Sequence, residues 1–364
     1  MEVSIVLPAL NEENSIGKTI KELKETLSKH KASFEIIVVD SDSEDKTAII
    51  SKNFGARVVN EPRRGYGNAL RRGFKESKGK YIIMCDPDGS YDARTLPKIL
   101  NTLKEGYDYV NCNRFAKLNP ESMSKSHYIG NAIINSLGNF FFHTKGKDML
   151  SGYKGFRADA LKKLDLRCQK WDLSMEIHSK IKSNDLKFKE IPTRYFPRIG
   201  QSKLTGLKGA WDNFRYMSVH KPNFVLIYPS LSLMGIGIVG IFYMLLTKTL
   251  GNALLMLSAT TFLIGFQTFL LGTISQTIMF KRGIDKKNLI VESSEKLNLQ
   301  KGIIIGSSFF VISIIVFLLA LRQWLKFGTN LFITDIKFVI PGFIALIMSV
   351  SVITYSFVNE AINE

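Results

Sequence analysis

Tyr81-Ile82-Ile83-Met84-Cys85-Asp86-Pro87-Asp88-Gly89-Ser90-Tyr91-Asp92 is a short apolar run that empties into an acidic turn. An unbroken apolar run of this length, bounded by turn residues, marks a strand buried on both faces. Val3 to Leu7, Phe34 to Asp40 and Ala56 to Val59 have the same form before it, and Tyr109 to Cys112 follows it. Between these runs lie helical patterns near Ser15 to Lys29, Asp45 to Phe54, Gly65 to Ser77 and Arg94 to Leu103. Strands alternating with helices predict an α/β domain with a mostly parallel sheet covered on both faces. Ligands of such sheets bind outside the carboxyl ends of the strands, so the polar residues after each strand carry the interest.

The chain has 364 residues and a formal net charge of +17. Charged and apolar residues interleave up to about Asn223; beyond it come the apolar runs Phe224 to Thr247, Leu250 to Phe280, Gly302 to Leu321 and Phe338 to Val358. Each reaches the roughly 20 residues that cross a hydrocarbon core of about 30 Å. The predicted organisation is a domain over 1–203, an amphipathic interfacial helix over 204–223, and a membrane domain over 224–364 with spans near 224–247, 253–279, 302–322 and 338–358. Lys281, Arg282, Lys286, Lys287, Lys296 and Lys301 fall between the second and third runs, whereas the first connection holds Lys248. The positive-inside rule then places the N-terminal domain and the C-terminus in the cytosol, as a multi-pass protein of the cell membrane. The loop with Arg322, Lys326 and Lys337 fits that rule less well. Val3 to Pro8 is too short for a signal peptide and lacks a basic leader. Cys85, Cys112 and Cys168 have no metal-ligand spacing and read as reduced thiols.

Carboxylates gather after three strands, at Asn11-Glu12-Glu13, at Asp40 to Asp45 and at Asp86 to Asp92. In a basic protein such a concentration calls for a cation or a specific ligand. Asp86 and Asp88 can place two hard oxygens on one side of Mg²⁺ or Mn²⁺, with substrate phosphates completing the shell. Asp-Pro-Asp-Gly is equally a strong turn in its own right. Asp40 and Glu12 can accept from a base or ribose hydroxyl, or can cap the helices that follow.

Taken together, Pro8-Ala9-Leu10-Asn11-Glu12, the Val38-Val39-Asp40 turn with Ser43, Asp45 and Thr47, the Asp86/Asp88 pair and Arg64-Gly65-Tyr66-Gly67-Asn68-Ala69-Leu70 resemble glycosyltransferase family 2. The similar branch is that of dolichyl- and undecaprenyl-phosphate mannose and glucose synthases. The resemblance implies a GT-A nucleotide-sugar transferase domain ahead of four transmembrane helices. It implies that Pro8, Leu10, Glu12, Asp40, Asp86, Arg198 and Lys203 surround the nucleotide and that Asp86 and Asp88 hold the metal. Leu10 stands where the family often has an aromatic residue and Ser41 where it often has a second aspartate. The Gly-rich turn would bring backbone N–H groups close to the ligand.

Arg114 and the run Pro197 to Leu204 resemble positions that hold the lipid phosphate and the diphosphate. Arg114, Arg198 and Ser202 are the implied acceptor-phosphate residues, arginine forking onto two phosphate oxygens and Lys203 adding a compact charge. Asp88, Arg114 and Glu176 are the implied catalytic residues. Glu176 either orients groups near the acceptor or pairs with Lys154 or Arg198. Asp148 and Ser151 to Arg157 match a family turn in which Lys154 replaces a common arginine, keeping charge but not the fork. Lys208 and Lys221 read as basicity beside an anionic membrane.

The implied reaction is inverting transfer of a hexose from GDP-mannose, UDP-glucose or a similar nucleotide sugar to a polyprenyl phosphate, at the membrane. Leu204, Leu207, Trp211, Phe214 and Met217, and on an earlier helix Ile129, Ile133, Leu137, Phe140 and Phe141, form faces that lie in the headgroup plane or dock on the sheet. No nucleic-acid partner is expected, and a homo-oligomer is left open. The rival readings are transfer to another lipid or a polysaccharide, for which the Gln-x-x-Arg-Trp motif of processive synthases is missing, and a non-catalytic membrane sensor.

Overall fold

Each apolar run of the first 200 residues becomes a strand because its alternate side chains bury into two different cores. Val3, Ile5 and Leu7 pack with Ile16, Ile20, Leu23 and Leu27 of the first helix. Val6, between them, joins Ile37, Ala69 and Leu70 on the other face. The computed structural model describes residues 1–200, 206–247, 252–282, 285, 287–327 and 332–363. It separates into two units, Met1–Met217 and Ser218–Glu364.

In the first unit the order is β1 (Val3–Ala9), α1 (Ile16–Lys29), β2 (Phe34–Asp40), α2 (Thr47–Asn53), β3 (Arg57–Asn60), α3 (Tyr66–Glu76), β4 (Tyr81–Met84), α4 (Leu96–Lys104) and β5 (Tyr109–Leu118). Then come α5 (Lys125–Phe142), β6 (Lys154–Arg157), α6 (Ala158–Lys163), α7 (Leu173–Ser183), β7 (Phe188–Tyr195) and α8 (Gly206–His220). They build a seven-stranded sheet ordered β3-β2-β1-β4-β6-β5-β7. β6 runs antiparallel to both its neighbours; every other pairing is parallel. The domain is thus α/β with a mostly parallel sheet, the architecture that the resemblance implies.

Two expectations change here. The Ser151 to Arg157 stretch is not simply a turn: Lys154–Arg157 is a strand, inserted between β4 and β5. Arg114 does not follow its strand but lies inside β5, at the irregularity between Asn113 and Lys117 where β5 pairs with β7. β7 is an edge strand, which is where Pro192 can be tolerated.

On α5, Ile129, Ile133 and Phe140 are more than half exposed (57%, 54% and 59%), whereas Phe141 is buried. On α8, Trp211 is 62% exposed while Tyr216 and Met217 are buried, the Tyr216 hydroxyl lying 2.9 Å from Ser179 Oγ. Leu204 lies outside the described residues.

The second unit takes in the last residues of α8, then a π-helical turn at Asn223–Ile227, α9 (Tyr228–Thr247), α10 (Asn252–Lys281), α11 (Leu289–Lys296), α12 (Leu299–Phe327) and α13 (Phe332–Asn363). Among the described residues four stretches are long and apolar enough to cross a membrane: Asn223–Met244, Ala253–Lys281, Leu299–Lys326 and Val339–Asn363. α9 and α10 approach closely at glycines, since a Cβ on Gly237 would sit 2.6 Å from Phe262. The short α11 is held by a buried polar set in which Ser294 Oγ donates to Asn359 Oδ1 at 2.6 Å and accepts from Tyr355 at 2.9 Å. Lys221 is not a free basic side chain facing lipid: it pairs with Asp285 at 3.0 Å, and Asp285 also accepts from Gln276.

Candidate active site

Register brings the acidic turns to one edge. Ala9 pairs with Asp40 across β1 and β2, and Val6 with Met84 across β1 and β4. The turns after β1, β2 and β4 therefore emerge side by side, next to the start of β6. Two of them are laced together: Asn11 N–H donates to Ser43 Oγ (2.9 Å), Glu44 N–H to Asn11 Oδ1 (2.8 Å), and Glu12 N–H to Thr47 Oγ1 (2.7 Å). Asn11, at φ 49°, adopts the left-handed backbone that asparagine tolerates better than most residues.

The third turn is pinned from below and above. Thr19 of α1 donates to Pro87 O at 2.9 Å. Ser90 donates to Asp88 Oδ1 through its N–H (3.0 Å) and its hydroxyl (2.5 Å). Gly89, at φ 74°, lies under Ile199, and Ile199 N–H donates to Asp88 O at 2.9 Å. The segment after β7 is thereby fastened over the Asp86–Asp88 turn.

That segment delivers Arg198. Its Nη2 lies 3.1 Å from Glu12 Oε1 and its Nε 3.7 Å from Asp88 Oδ2, the Nε being buried without a hydrogen bond among the described residues. Glu12, Asp88 and Arg198, selected separately from the sequence, are one cluster. Asp86 accepts from the Tyr66 hydroxyl at 2.9 Å, and a Cβ on Gly152 would fall 1.9 Å from its Oδ2. Desolvation, then the neighbouring Asp88 charge, push Asp86 up to about 6 against the pull of Tyr66, Arg114 and Arg198.

Asp86 and Asp88 fit a divalent cation by their donor chemistry. No group of three or more His, Cys, Asp or Glu is assembled among the described residues. Mg²⁺ and Mn²⁺ suit a site of one or two carboxylates because waters and substrate phosphates supply the other oxygens. A raised Asp86 beside Asp88 is a pair short of positive charge, which such a cation provides.

Other expected residues are differently engaged. Arg114 is buried, and its fork is already taken: Nε and Nη2 donate to Asp148 at 2.8 and 2.7 Å, and its backbone N–H adds a third bond at 2.9 Å. Its guanidinium lies 5.3 Å from the Tyr195 ring, which packs against Tyr91. Tyr91 accepts the Gly152 N–H at 2.6 Å, so Arg114 and the Asp86 turn share one wall. Asp40 is folded into its own turn, accepting from Ser43 N–H and Oγ. Pro8 is buried within β1, and Leu10 is partly exposed beyond it. Ser202 and Lys203 lie outside the described residues.

Glu176 pairs with neither Lys154 nor Arg198. Its carboxylate accepts the N–H groups of Arg167 and Cys168 and pairs with Lys180 at 2.8 Å, because it faces the chain that enters α7. Lys154 does not simply keep the charge of an arginine. It is fully buried, donates to Asn111 Oδ1 and Met149 O at 2.9 Å each, and burial lowers it to about 7. The Gly-rich turn receives protein rather than open space: a Cβ on Gly65 would lie 2.4 Å from Gln169 O and one on Gly67 2.6 Å from Cys168 O. Tyr66, Tyr91, Gly152 and Trp171 were missed as site residues; the signal for the first lay inside the Gly-rich turn and for the third inside the Ser151-Gly152 stretch.

The profile of glycosyl transferase family 2 matches residues 4–165, and that of the glycosyltransferase family 2 C-terminal transmembrane region matches residues 273–363. The low-salt glycan biosynthesis hexosyltransferase Agl6 of Haloferax volcanii is 29% identical over 84% of this chain and 76% of its own length. A dolichyl-phosphate hexose transferase of the same organism is 27% identical over 57% of this chain and 89% of its own. An uncharacterised protein of Methanocaldococcus jannaschii is 35% identical over 57% of this chain and 88% of its own. Among solved structures, glucosyl-3-phosphoglycerate synthase of Mycobacterium tuberculosis with Mn²⁺, UDP and glucosyl-3-phosphoglycerate aligns with a TM-score of 0.46 at 18% identity, covering 60% of this chain and 78% of that one.

Proposed function

Since this chain belongs to glycosyltransferase family 2, we propose that it transfers a hexose from a nucleotide sugar, UDP-glucose or GDP-mannose, to a polyprenyl phosphate. The observation that carries the reading is the Glu12–Arg198–Asp88 cluster beside Asp86, on a chain that also holds four membrane-length helices. The dolichyl-phosphate hexose transferase among its relatives supports the acceptor class. The K/R-rich connection between the second and third spans supports a catalytic domain on the cytosolic side.

A phosphate monoester is ionised at neutral pH and can attack the anomeric carbon without a dedicated general base. The protein's task is alignment and charge stabilisation. Asp86 and Asp88 would hold Mg²⁺ or Mn²⁺, which would supply positive charge to a diphosphate leaving group. Arg198 exchanges Glu12 and Asp88 for diphosphate oxygens, joined by Lys203. Arg114, oriented by Asp148, presents Nη1 and the outer side of its guanidinium to the lipid phosphate; Ser202 keeps the acceptor-phosphate role that the resemblance implies. Pro8, Leu10, Glu12 and Asp40 line the nucleoside. Glu176 serves from behind, through the chain that it braces.

The test is full-length protein in detergent with each nucleotide sugar, Mg²⁺ or Mn²⁺ and a polyprenyl phosphate, the lipid product being read by mass spectrometry and NMR. A β-linked hexosyl polyprenyl phosphate from an α-linked donor is expected, because one displacement inverts the centre. Retention of configuration would exclude that displacement, and nucleotide binding without any lipid product would favour a sensor.

A further inference from the structure

Tyr66 donates its hydroxyl to Asp86 Oδ1 at 2.9 Å. Its ring lies on Trp171, with centroids 4.4 Å apart and planes 14° from parallel. The backbone around it is seated just as closely. Gly65, at φ 144°, and Gly67 let the start of α3 touch the carbonyls of Gln169 and Cys168, and Asn68 N–H donates to Gln169 O at 3.1 Å. The 167–168 backbone is itself braced by the buried Glu176, at 2.9 Å from Arg167 N and 2.8 Å from Cys168 N.

We propose that Tyr66 is a positioning residue for the metal-binding carboxylate of Asp86, held on target by the Trp171 stack and by the segment that Glu176 braces. The inference rests on the reading that Asp86 and Asp88 hold a divalent cation. Asp86 has one oxygen tied to the Tyr66 hydroxyl and the other against the Gly152 backbone, where a Cβ would come within 1.9 Å. Small divalent cations demand near-ideal geometry, and hydrogen bonds to a ligating carboxylate set its orientation. Glu176 accordingly acts at one remove, through backbone and aromatic stack, rather than by touching the acceptor.

The experiment is titration of full-length protein in detergent with Mn²⁺ alone, free Mn²⁺ being read by electron paramagnetic resonance. Tyr66→Phe keeps the stack and loses the hydrogen bond, so Mn²⁺ affinity should fall about tenfold, the low end for loss of such a supporting partner. Trp171→Phe should bind like wild type, whereas Trp171→Ala should bind as weakly as Tyr66→Phe. The thermal midpoints of Tyr66→Phe and Trp171→Phe should stay at the wild-type value, which separates positioning from folding. Wild-type Mn²⁺ affinity in Tyr66→Phe, alongside an Asp88→Asn control that has lost Mn²⁺, overturns the proposal and leaves the metal reading standing. An Asp88→Asn control that binds normally removes the metal reading and the proposal with it. Should Tyr66→Phe not fold, the Trp171 pair decides: equal Mn²⁺ affinity in Trp171→Ala and Trp171→Phe overturns the proposal.

Discussion

The surroundings of Asp86 shift its carboxyl toward neutral pH. Its value rises from 3.8 to about 6 through desolvation and the Asp88 charge. The native state therefore binds a proton that the unfolded chain releases over that window. The metal-free protein loses stability as pH rises through it, and a bound cation restores the loss. Protons and metal compete for the same carboxylate, so Mn²⁺ affinity should fall about tenfold per unit below roughly pH 6. Calorimetry between pH 5 and 7.5 checks this, and a flat profile contradicts it. The Arg114–Asp148 pair makes a second prediction, because both groups are buried. Asp148→Asn leaves a buried guanidinium without its counter-charge and should cost about 3 kcal/mol. Arg114→Met in the same chain should recover part of that loss in thermal unfolding. Asp86 and Asp88 stand out in the sequence as candidate ligands because two acids follow an apolar run, although the same four residues also make a strong turn in their own right. Tyr66 and Trp171 do not, since their value comes from a stack between residues far apart along the chain. Lys154 was misjudged for the same kind of reason: its lysine is visible, but the burial that lowers it to about 7 is set by β5 and the Asp148 turn.

At the scale of elements, β1, β2 and β4 could be read because their runs are apolar on both faces, Val6 and Ile5 belonging to opposite cores. β6 and β7 could not. Lys154-Gly155-Phe156-Arg157 has charged ends and a glycine, which strands seldom favour; it pairs because Gly155 admits Ile99, whose side chain a Cβ would meet at 2.3 Å. β7 contains Pro192, which argues for a loop unless the strand is known to lie at an edge. α5 kept part of its expected character: Ile129, Ile133 and Phe140 are exposed although Phe141 is buried. An exposed apolar stripe along one helix suits the headgroup region, where a lipid phosphate would be met. Ile129→Glu with Ile133→Glu should raise KM for the polyprenyl phosphate severalfold and leave KM for the nucleotide sugar unchanged. Steady-state kinetics in mixed micelles would show this, and equal KM values for both substrates in mutant and wild type would remove the lipid role of α5.

For the whole molecule, the division between an interleaved first part and an apolar second part was plain from composition, and the family 2 profiles fall on either side of it. The short α11 and its polar lock were invisible, because Ser294, Tyr355 and Asn359 acquire meaning when α11 and α13 are brought together. In the proposed reaction the two parts would answer two needs, a nucleotide sugar from water and a phosphate carried by a lipid. On this reading Asp86 and Asp88 make that transfer possible by holding a cation. The decisive measurement follows the lipid product of full-length wild type and Asp88→Asn by mass spectrometry, with Mn²⁺, a nucleotide sugar and polyprenyl phosphate supplied. Wild type should yield hexosyl polyprenyl phosphate that EDTA abolishes and Mn²⁺ restores, with Asp88→Asn at least about a hundredfold slower, a loss within the range for removing one electrostatic contact to a transition state. Equal rates for the two proteins, or product formation indifferent to EDTA, would contradict it.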